Sequence, residues 1–557
     1  MPNQSFGGKI LEHLDQLNEF ERAPIAPDKL KPGRYFAALF TGEHIAATEF
    51  VIGALFVSFG AGAFDVLVGL LLGNLMAVLS WAFVCAPIAV QTRLTLYWYL
   101  RKIAGPGVMA IYNLLNAVLH CILGGAMITV SASAVRLIFS IPEQTKWYPD
   151  DYRFVLLVLG VGAVVVTIAI LGFAKLSQFS AVCSPWMTVM FIVGGLAMLP
   201  LLGRVESFSD FWRIANQKIW TGHAPPGSTS LSFWHVAMFA WICNQATHLG
   251  LTDMAIFRYA RRSSYGFYSA FGMYLGHYLS WICAGILGAT AAALIGRPLI
   301  QLDSGNIAYT CLGAMGALTV VIAGWTTANP TLYRAGLALQ VVTPGWPRWF
   351  VTFIVGVITT VIACFPFVFT KLLDFVAIYG LLLMPVGAIV FVEHWIFPRL
   401  GWNRFWAARR GLLFNIPALI AWWGSLLAAL GIWEMGWLHQ FFLPIPVWFL
   451  TAGFYIILSA ISGARQSLPP LPADLPATAP AIAPATVFCM SKTQKIAYYF
   501  LGAIALFSLL TMLALAGCVF KGIVEVDDLR RYLIFTTAVY YLTSIPWLYY
   551  REKLHPA

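Results

Sequence analysis

Apolar runs of about 20 residues recur from one end of this chain to the other, each long enough to cross a bilayer as a helix. Lipid offers the backbone no partners, so such runs must pair their own polar groups as helices or closed barrels. The composition agrees. Of 557 residues, 60% are hydrophobic and 10% charged, and the mean hydropathy is +0.78, outside the soluble globular range. Taken in order, the runs predict about 14 transmembrane helices. These are spans 1 to 14, at 43–63, 65–88, 107–138, 153–173, 180–202, 231–254, 266–295, 310–340, 349–369, 374–397, 412–433, 440–462, 495–520 and 531–550. The expected fold class is all-α, polytopic and membrane-embedded. The first 35 residues are polar, so no cleavable signal pattern is expected before span 1.

The net charge of +11 reflects short basic loops between spans, not a nucleic-acid-binding surface. With a cytoplasmic N-terminus, about 22 Lys and Arg residues fall inside and about 11 outside. Among the inner group are Arg93, Arg101, Lys102, Arg258, Arg261, Arg262, Arg404, Arg409 and Arg410. Both termini are therefore expected to be cytoplasmic, with a bacterial inner (plasma) membrane as the expected location. The nine cysteines are scattered without a Cys-x-x-Cys pair, which argues against disulfide scaffolds and zinc sites. Repeated proline and alanine in 466–487 read as a spacer. The expected organisation is a cytoplasmic segment at 1–34, a twelve-helix body at 35–462, a linker at 463–492 and an accessory two-helix hairpin at 493–557.

Polar residues are unevenly spread over the spans. Span 8 carries Trp325-Thr-Thr-Ala-Asn-Pro-Thr-Leu-Tyr-Arg-Ala-Gly-Leu337, span 1 carries Glu43, His44 and Glu49, and span 6 carries Asn244, Gln245, Thr247, His248 and Asp253. Such clusters must face protein, water or solute. Polar interruptions five spans apart suit two inverted five-helix repeats with broken first helices.

The span 8 stretch resembles the helix 8 motif of the nucleobase:cation symporter-1 family, the cytosine permease branch in particular. Four further stretches agree in order. Asp65 precedes Gly73-Asn74-Leu75 in span 2, and Arg258-Tyr-Ala-Arg-Arg262 follows span 6. Ile286-Leu-Gly-Ala-Thr-Ala-Ala-Ala-Leu-Ile-Gly296 closes span 7, and Met384-Pro-Val-Gly-Ala-Ile-Val-Phe-Val-Glu-His394 lies in span 10. The resemblance covers 35–462. It implies a sodium/solute-symporter-like fold of ten core helices in two inverted repeats plus two peripheral ones, moving nucleobases or related compounds with Na⁺ or H⁺. No organic cofactor is implied.

By the same resemblance, Thr326 and Thr327 match positions that offer hydroxyls to the cation, and Ala323 a backbone carbonyl. Threonines in membrane helices also bond their own preceding turn, the plainer reading. Asn329 lies close to a substrate-binding amide of the family, and an amide beside a proline kink is its bland alternative. Glu49 departs from the small residues expected in span 1 and is read as a coupling or substrate-contacting carboxyl, or else an interfacial one. Span 3 lacks the family's stacking tryptophan in 116–125, leaving His120 as a solute contact or a packed histidine. Trp241, Asn244, Gln245 and His248 have helical spacing for one face and are the remaining solute candidates. An interfacial Asp253–Arg258 pair and a salt bridge from Glu393 to loop arginines are also expected.

The expected activity is cation-coupled symport by alternating access, with a small-molecule substrate and the lipid bilayer as partners. A nucleobase-like cargo and another small solute, such as a vitamin precursor or amino acid, remain open. A membrane-embedded enzyme or channel is the reading of a different class, and no nucleophile or metal spacing or pore-loop pattern supports it. The chain offers no reading of oligomeric state.

Overall fold

Helices lie in each of the fourteen expected spans in the computed structural model, which describes residues 22–144, 146–224, 230–370, 372–468 and 491–554. Among the described residues, ten helices are long and apolar enough to cross a membrane, or eleven when the bent pair of span 1 counts as one. Phe233–Ile242 and Arg348–Ala363 are shorter apolar helices. Most of the 466–487 linker, and the N-terminal segment up to residue 21, lie outside the described residues.

Span 1 differs most from its expected limits. It begins at Gly33 rather than 43 and is two helices, Gly33–His44 and Glu49–Ser58, bent by 51°. Its first half mixes buried Tyr35, Phe36, Leu39 and Phe40 with polar neighbours, so a search for continuous apolar sequence passes over it. Span 6 is likewise broken, into Phe233–Ile242, Gln245–His248 and Met254–Phe257. Leu251 between the last two has a φ of 64°, which a continuing α-helix cannot accommodate.

Several features obey a two-fold exchange of spans 1 and 6, 2 and 7, and 3 and 8. The second half of span 1 packs on span 7, with Gly53 against the Trp281 carbonyl and Ala284. Its counterpart is the first piece of span 6 on span 2, with Gly73 against the Ala237 carbonyl. Spans 3 and 8 pack on each other, with Gly324 and Gly305 against Ser131 and Ser133. Small residues permit these close backbone approaches, the usual basis of helix pairing in membranes.

The N-terminal ends of spans 3 and 8 repeat the same design. Leu96–Ile138 is capped by Thr95 and departs from helical geometry at Gly105, with φ 82°. Ser304–Val342 is capped by Asp303 and departs at Gly313, with φ 61°. In both, a short capped helix leads into the long one through a glycine in the left-handed region.

The C-terminal hairpin, Lys492–Phe520 and Val526–Leu554, packs on span 5. Trp186 donates to Thr537 Oγ1 at 3.0 Å, and Tyr540 donates to the Val182 carbonyl at 2.7 Å. Arg530 donates to the carbonyls of Thr310 and Cys311, just ahead of the break at Gly313. The hairpin thus supplies hydrogen bonds to backbone that the broken helix leaves unpaired.

The glycine contacts are directly testable. Gly73→Leu forces spans 2 and 6 apart and is expected to cost about 1–3 kcal/mol. Gly453→Leu in span 12, where a side chain meets nothing within 4 Å, is expected to change little. Thermal unfolding of the two purified variants in detergent checks the contrast.

Candidate functional site

The breaks in spans 1 and 6 meet at a buried cavity of about 90 Å³. Span 1 contributes Glu43, His44, Ala46, Thr48, Glu49 and Ile52, and span 6 contributes Cys243, Asn244 and Thr247. His120, Leu123 and Met127 come from span 3, His277 and Trp281 from span 7, Thr327, Thr331 and Arg334 from span 8, and Val376 and Tyr379 from span 10. Unwound segments are tolerated at membrane depth where they line a cavity, as here.

One wall is an ion cluster. Arg334 grips Glu43 through two hydrogen bonds, Nη1 to Oε1 at 2.5 Å and Nη2 to Oε2 at 3.0 Å. The same guanidinium reaches Asp253 Oδ1 from Nη2 at 2.5 Å and from Nε at 3.0 Å. The Trp81 indole donates to Asp253 Oδ2 at 2.6 Å. Side-chain exposure is 2% for Arg334, 0% for Asp253 and 11% for Glu43. Spans 1, 2, 6 and 8 are therefore joined through charges that have little contact with water. The planar fork of arginine suits this double engagement, which a lysine cannot reproduce.

A second corner holds Glu49, the first residue of the second half of span 1. Its Oε2 accepts the indole N–H of Trp281, and its Oε1 lies 3.8 Å from His277 Nε2. The His277 and Trp281 rings stack with centroids 4.3 Å apart. Glu49 is 2% exposed.

A third corner joins spans 1 and 8. Thr327 Oγ1 lies 2.8 Å from the Glu43 carbonyl and 3.1 Å from the Ala323 carbonyl. Thr326 Oγ1 lies 3.0 Å from the same Ala323 carbonyl but 3.8 Å from Met187 Sδ, on the side facing span 5. Ala323, Thr326 and Thr327 are thus drawn together by bonds to the preceding helical turn. Only Thr327 also reaches across to the unwound end of span 1. Together with the two carbonyls it offers the hard oxygen donors that a small cation needs.

The solute candidates divide. Asn244 and His120 line the cavity. Asn244 Nδ2 lies 3.5 Å from His277 Nε2. His120 has both ring nitrogens partnered, Nδ1 with the Asn116 carbonyl at 2.9 Å and Nε2 with the Tyr379 hydroxyl at 3.1 Å. Trp241, Gln245 and His248 are not among the lining residues. The common face expected of 241–248 does not form because the helix breaks at Cys243 and Asn244. Trp241 instead donates to Ser80 Oγ at 3.0 Å, Gln245 reaches the Ala377 carbonyl at 3.5 Å, and His248 contacts the Trp241 carbonyl at 2.9 Å. Asn329 is buried, but helical periodicity turns it away from Thr327 and Thr331 towards the Thr326 face.

Two expected ion pairs do not form as anticipated. Asp253 pairs with Arg334, while Arg258 donates to the Ala255 carbonyl at 3.2 Å and stacks over Tyr259. The break before Met254 separates Asp253 and Arg258 in orientation despite their nearness in sequence. Glu393 accepts from the Tyr455 hydroxyl at 2.9 Å and from the Phe405 amide, and Arg404 turns to Tyr99 and His394. Sequence reasoning passed over Arg334 as a charge partner, and over His277, Trp281, Cys243 and Tyr379. The Arg334 signal was present, since an arginine deep in an apolar span requires carboxylates.

No protein-family model matches the sequence, and no curated protein matches it. Solved structures do match in fold. One is Mhp1, described as a nucleobase-cation-symport-1 family transporter, in a closed conformation with bromovinylhydantoin bound. It aligns with a TM-score of 0.61 at 16% identity, covering 80% of this chain and 96% of that one. A Na⁺-coupled sialic acid symporter in a substrate-bound outward-open state aligns with a TM-score of 0.58 at 12% identity, covering 81% and 96%. An inward-facing conformation of Mhp1 also scores 0.58, at 16% identity. The fold is therefore the one shared by these symporters, ten core helices in two inverted repeats with broken spans 1 and 6.

Arg334→Gln strands two buried carboxylates and is expected to cost about 3–5 kcal/mol. Adding Glu43→Gln and Asp253→Asn removes the stranded charges and is expected to recover most of that loss. Denaturant or thermal melting of the single and triple variants reads both.

Proposed function

We propose that this multi-pass membrane protein is a secondary active transporter, a cation-coupled symporter working by alternating access. The observation carrying this reading is the cavity between two broken helices, sealed on one side by the Glu43–Arg334–Asp253 cluster. An unwound segment can expose carbonyls and helix ends to solute and ion, and its halves can pivot. Lys and Arg residues, about twice as numerous on one side, support cytoplasmic termini and an inner-membrane location.

The coupling ion, Na⁺ in this reading, sits between spans 1 and 8 with Thr327 and the Glu43 and Ala323 carbonyls as donors, and Thr326 completing the pair. Ion binding there pulls directly on the end of Gly33–His44. Because Glu43 also grips Arg334 through its side chain, occupancy of the ion site and the arrangement of spans 1, 6 and 8 are linked. Glu49 faces the solute and serves coupling, with H⁺ as the alternative ion. Asn244 and His120 are the solute contacts among the residues expected from the sequence, while Trp241, Gln245 and His248 bond within and around the broken span 6. Trp281 and Tyr379 provide the aromatic wall that span 3 lacks.

The cargo is a small solute, with a nucleobase or related heterocycle as the finer reading supported by the fold and the motif order. A cavity of about 150 Å³ holds a benzene ring, so the present space must widen to admit one. Opening of spans 1 and 6 provides that change.

Uptake of labelled nucleobases, vitamins and amino acids into proteoliposomes, under separate Na⁺ and H⁺ gradients, tests the function. A gradient-driven accumulation of at least one solute is expected. If no imposed gradient drives any of them, the symporter reading is wrong. For the ion site, Thr327→Val is expected to raise the Na⁺ concentration for half-maximal uptake by about ten- to a hundred-fold, the worth of one hydrogen-bonding group to a charge. Thr327→Ser keeps the oxygen and is expected to stay near the parent value.

A further inference from the structure

The charges around the cavity do not balance. Arg334 is the one cation in the lining, and it is engaged by Glu43 and Asp253 together. That cluster alone carries one excess negative charge. Glu49, on the opposite wall, adds another, and its contacts are the Trp281 indole and the His277 ring.

His277 does not supply the missing charge by its geometry. Its Nε2 is 3.8 Å from Glu49 Oε1, beyond hydrogen-bonding distance, while Asn244 Nδ2 lies 3.5 Å from the same nitrogen and Cys243 Sγ lies 3.6 Å from Nδ1. These partners suit a neutral imidazole, with one nitrogen accepting and the other donating. His44 bonds the Phe40 carbonyl at 2.8 Å, and His120 is tied to Asn116 and Tyr379. The remaining polar lining groups, Thr48, Thr247, Thr327, Thr331 and Tyr379, are neutral hydroxyls. With neutral histidines the site has two more carboxylates than cations, at a depth where an unpaired charge is costly. A coupling cation at Thr327 answers the first, beside Glu43. Glu49 lies beyond the unwound segment and, when ionised, calls for a second.

Resting on the symporter reading above, we propose that the transported solute is itself cationic, carrying an ammonium or amidinium group that docks on Glu49. Asn244 then offers its amide to the remainder of the molecule. Trp281, stacked on His277 and holding the carboxylate through its indole N–H, keeps Glu49 aimed at the cavity. The same arrangement disfavours carboxylate-bearing or phosphate-bearing solutes, which add a third negative charge.

The test uses full-length protein in proteoliposomes with an inward Na⁺ gradient and labelled probes in matched sets. These are benzamidinium beside benzamide, choline beside 3,3-dimethylbutanol, and cationic, neutral and anionic members of aminated heterocycle series. Cationic members are expected to accumulate at least several-fold over their neutral partners, and to compete for one another's uptake. Glu49→Gln is expected to abolish the preference for cations, and Glu49→Asp to retain it. Melting of both variants beside the parent separates lost selectivity from lost folding. Accumulation of neutral or anionic probes alone, or a preference for cations that survives Glu49→Gln in folded protein, overturns the cationic assignment and leaves the symporter standing. Failure of every gradient to drive any probe removes the symporter reading and this inference with it.

Discussion

A guanidinium shared by two carboxylates in the interior of a membrane protein is the interaction on which the arrangement of this molecule turns. Arg334 belongs to span 8, Glu43 to the first half of span 1, and Asp253 to the end of the break in span 6. None of the three charges is tolerable alone at that depth. Their pairing therefore selects one relative placement of three helices, and Trp81 extends the constraint to span 2. The cluster is also the thing that must rearrange if the broken halves are to move. The free-energy difference between intact and opened clusters is then set by what else compensates the charges, which in the proposed symport is the link between helix position and cation binding.

The second constraint is backbone pairing. A helix broken in lipid leaves amides and carbonyls without partners, and each break here is answered. Thr327 reaches the Glu43 carbonyl at the end of Gly33–His44. Arg530 of the hairpin reaches Thr310 and Cys311 beside the break at Gly313. The hairpin thus does more than cover span 5. It adds two hydrogen bonds to span 8 beside the break at Gly313.

Much of the fold was legible from the chain. Runs of apolar sequence located helices in the fourteen expected spans, because the bilayer imposes length and composition together. Ten of these, or eleven with the bent pair, are long and apolar enough among the described residues to cross a membrane. Polar residues in spans 1 and 6 pointed to the breaks, because only a cavity makes them tolerable. The register of span 1 was not legible, since its first half is amphipathic and packs its apolar face into protein instead of lipid. That displaced Glu43 to the supposed membrane boundary and hid its role. The face of span 6 failed for a related reason. Helical spacing of Trp241, Asn244, Gln245 and His248 holds only where the helix continues, and it stops between them. The repeat of Thr95 to Gly105 by Asp303 to Gly313 emerged only in the structure. Neither feature has an apolar signature, so hydropathy alone passes over both.

The central claim is that the cavity between spans 1 and 6 opens to water in a manner governed by the coupling ion. Cys243 lies in its wall, which allows a direct measurement. With the other cysteines replaced, the rate of Cys243 modification by a small membrane-impermeant thiosulfonate can be followed in proteoliposomes, with Na⁺ and with K⁺ in its place. The account predicts that Cys243 reacts, that Na⁺ changes the rate severalfold, and that reagent applied to the two faces responds in opposite directions. A cysteine that stays unreactive from both faces, or reacts at one rate whatever the ion, would contradict it.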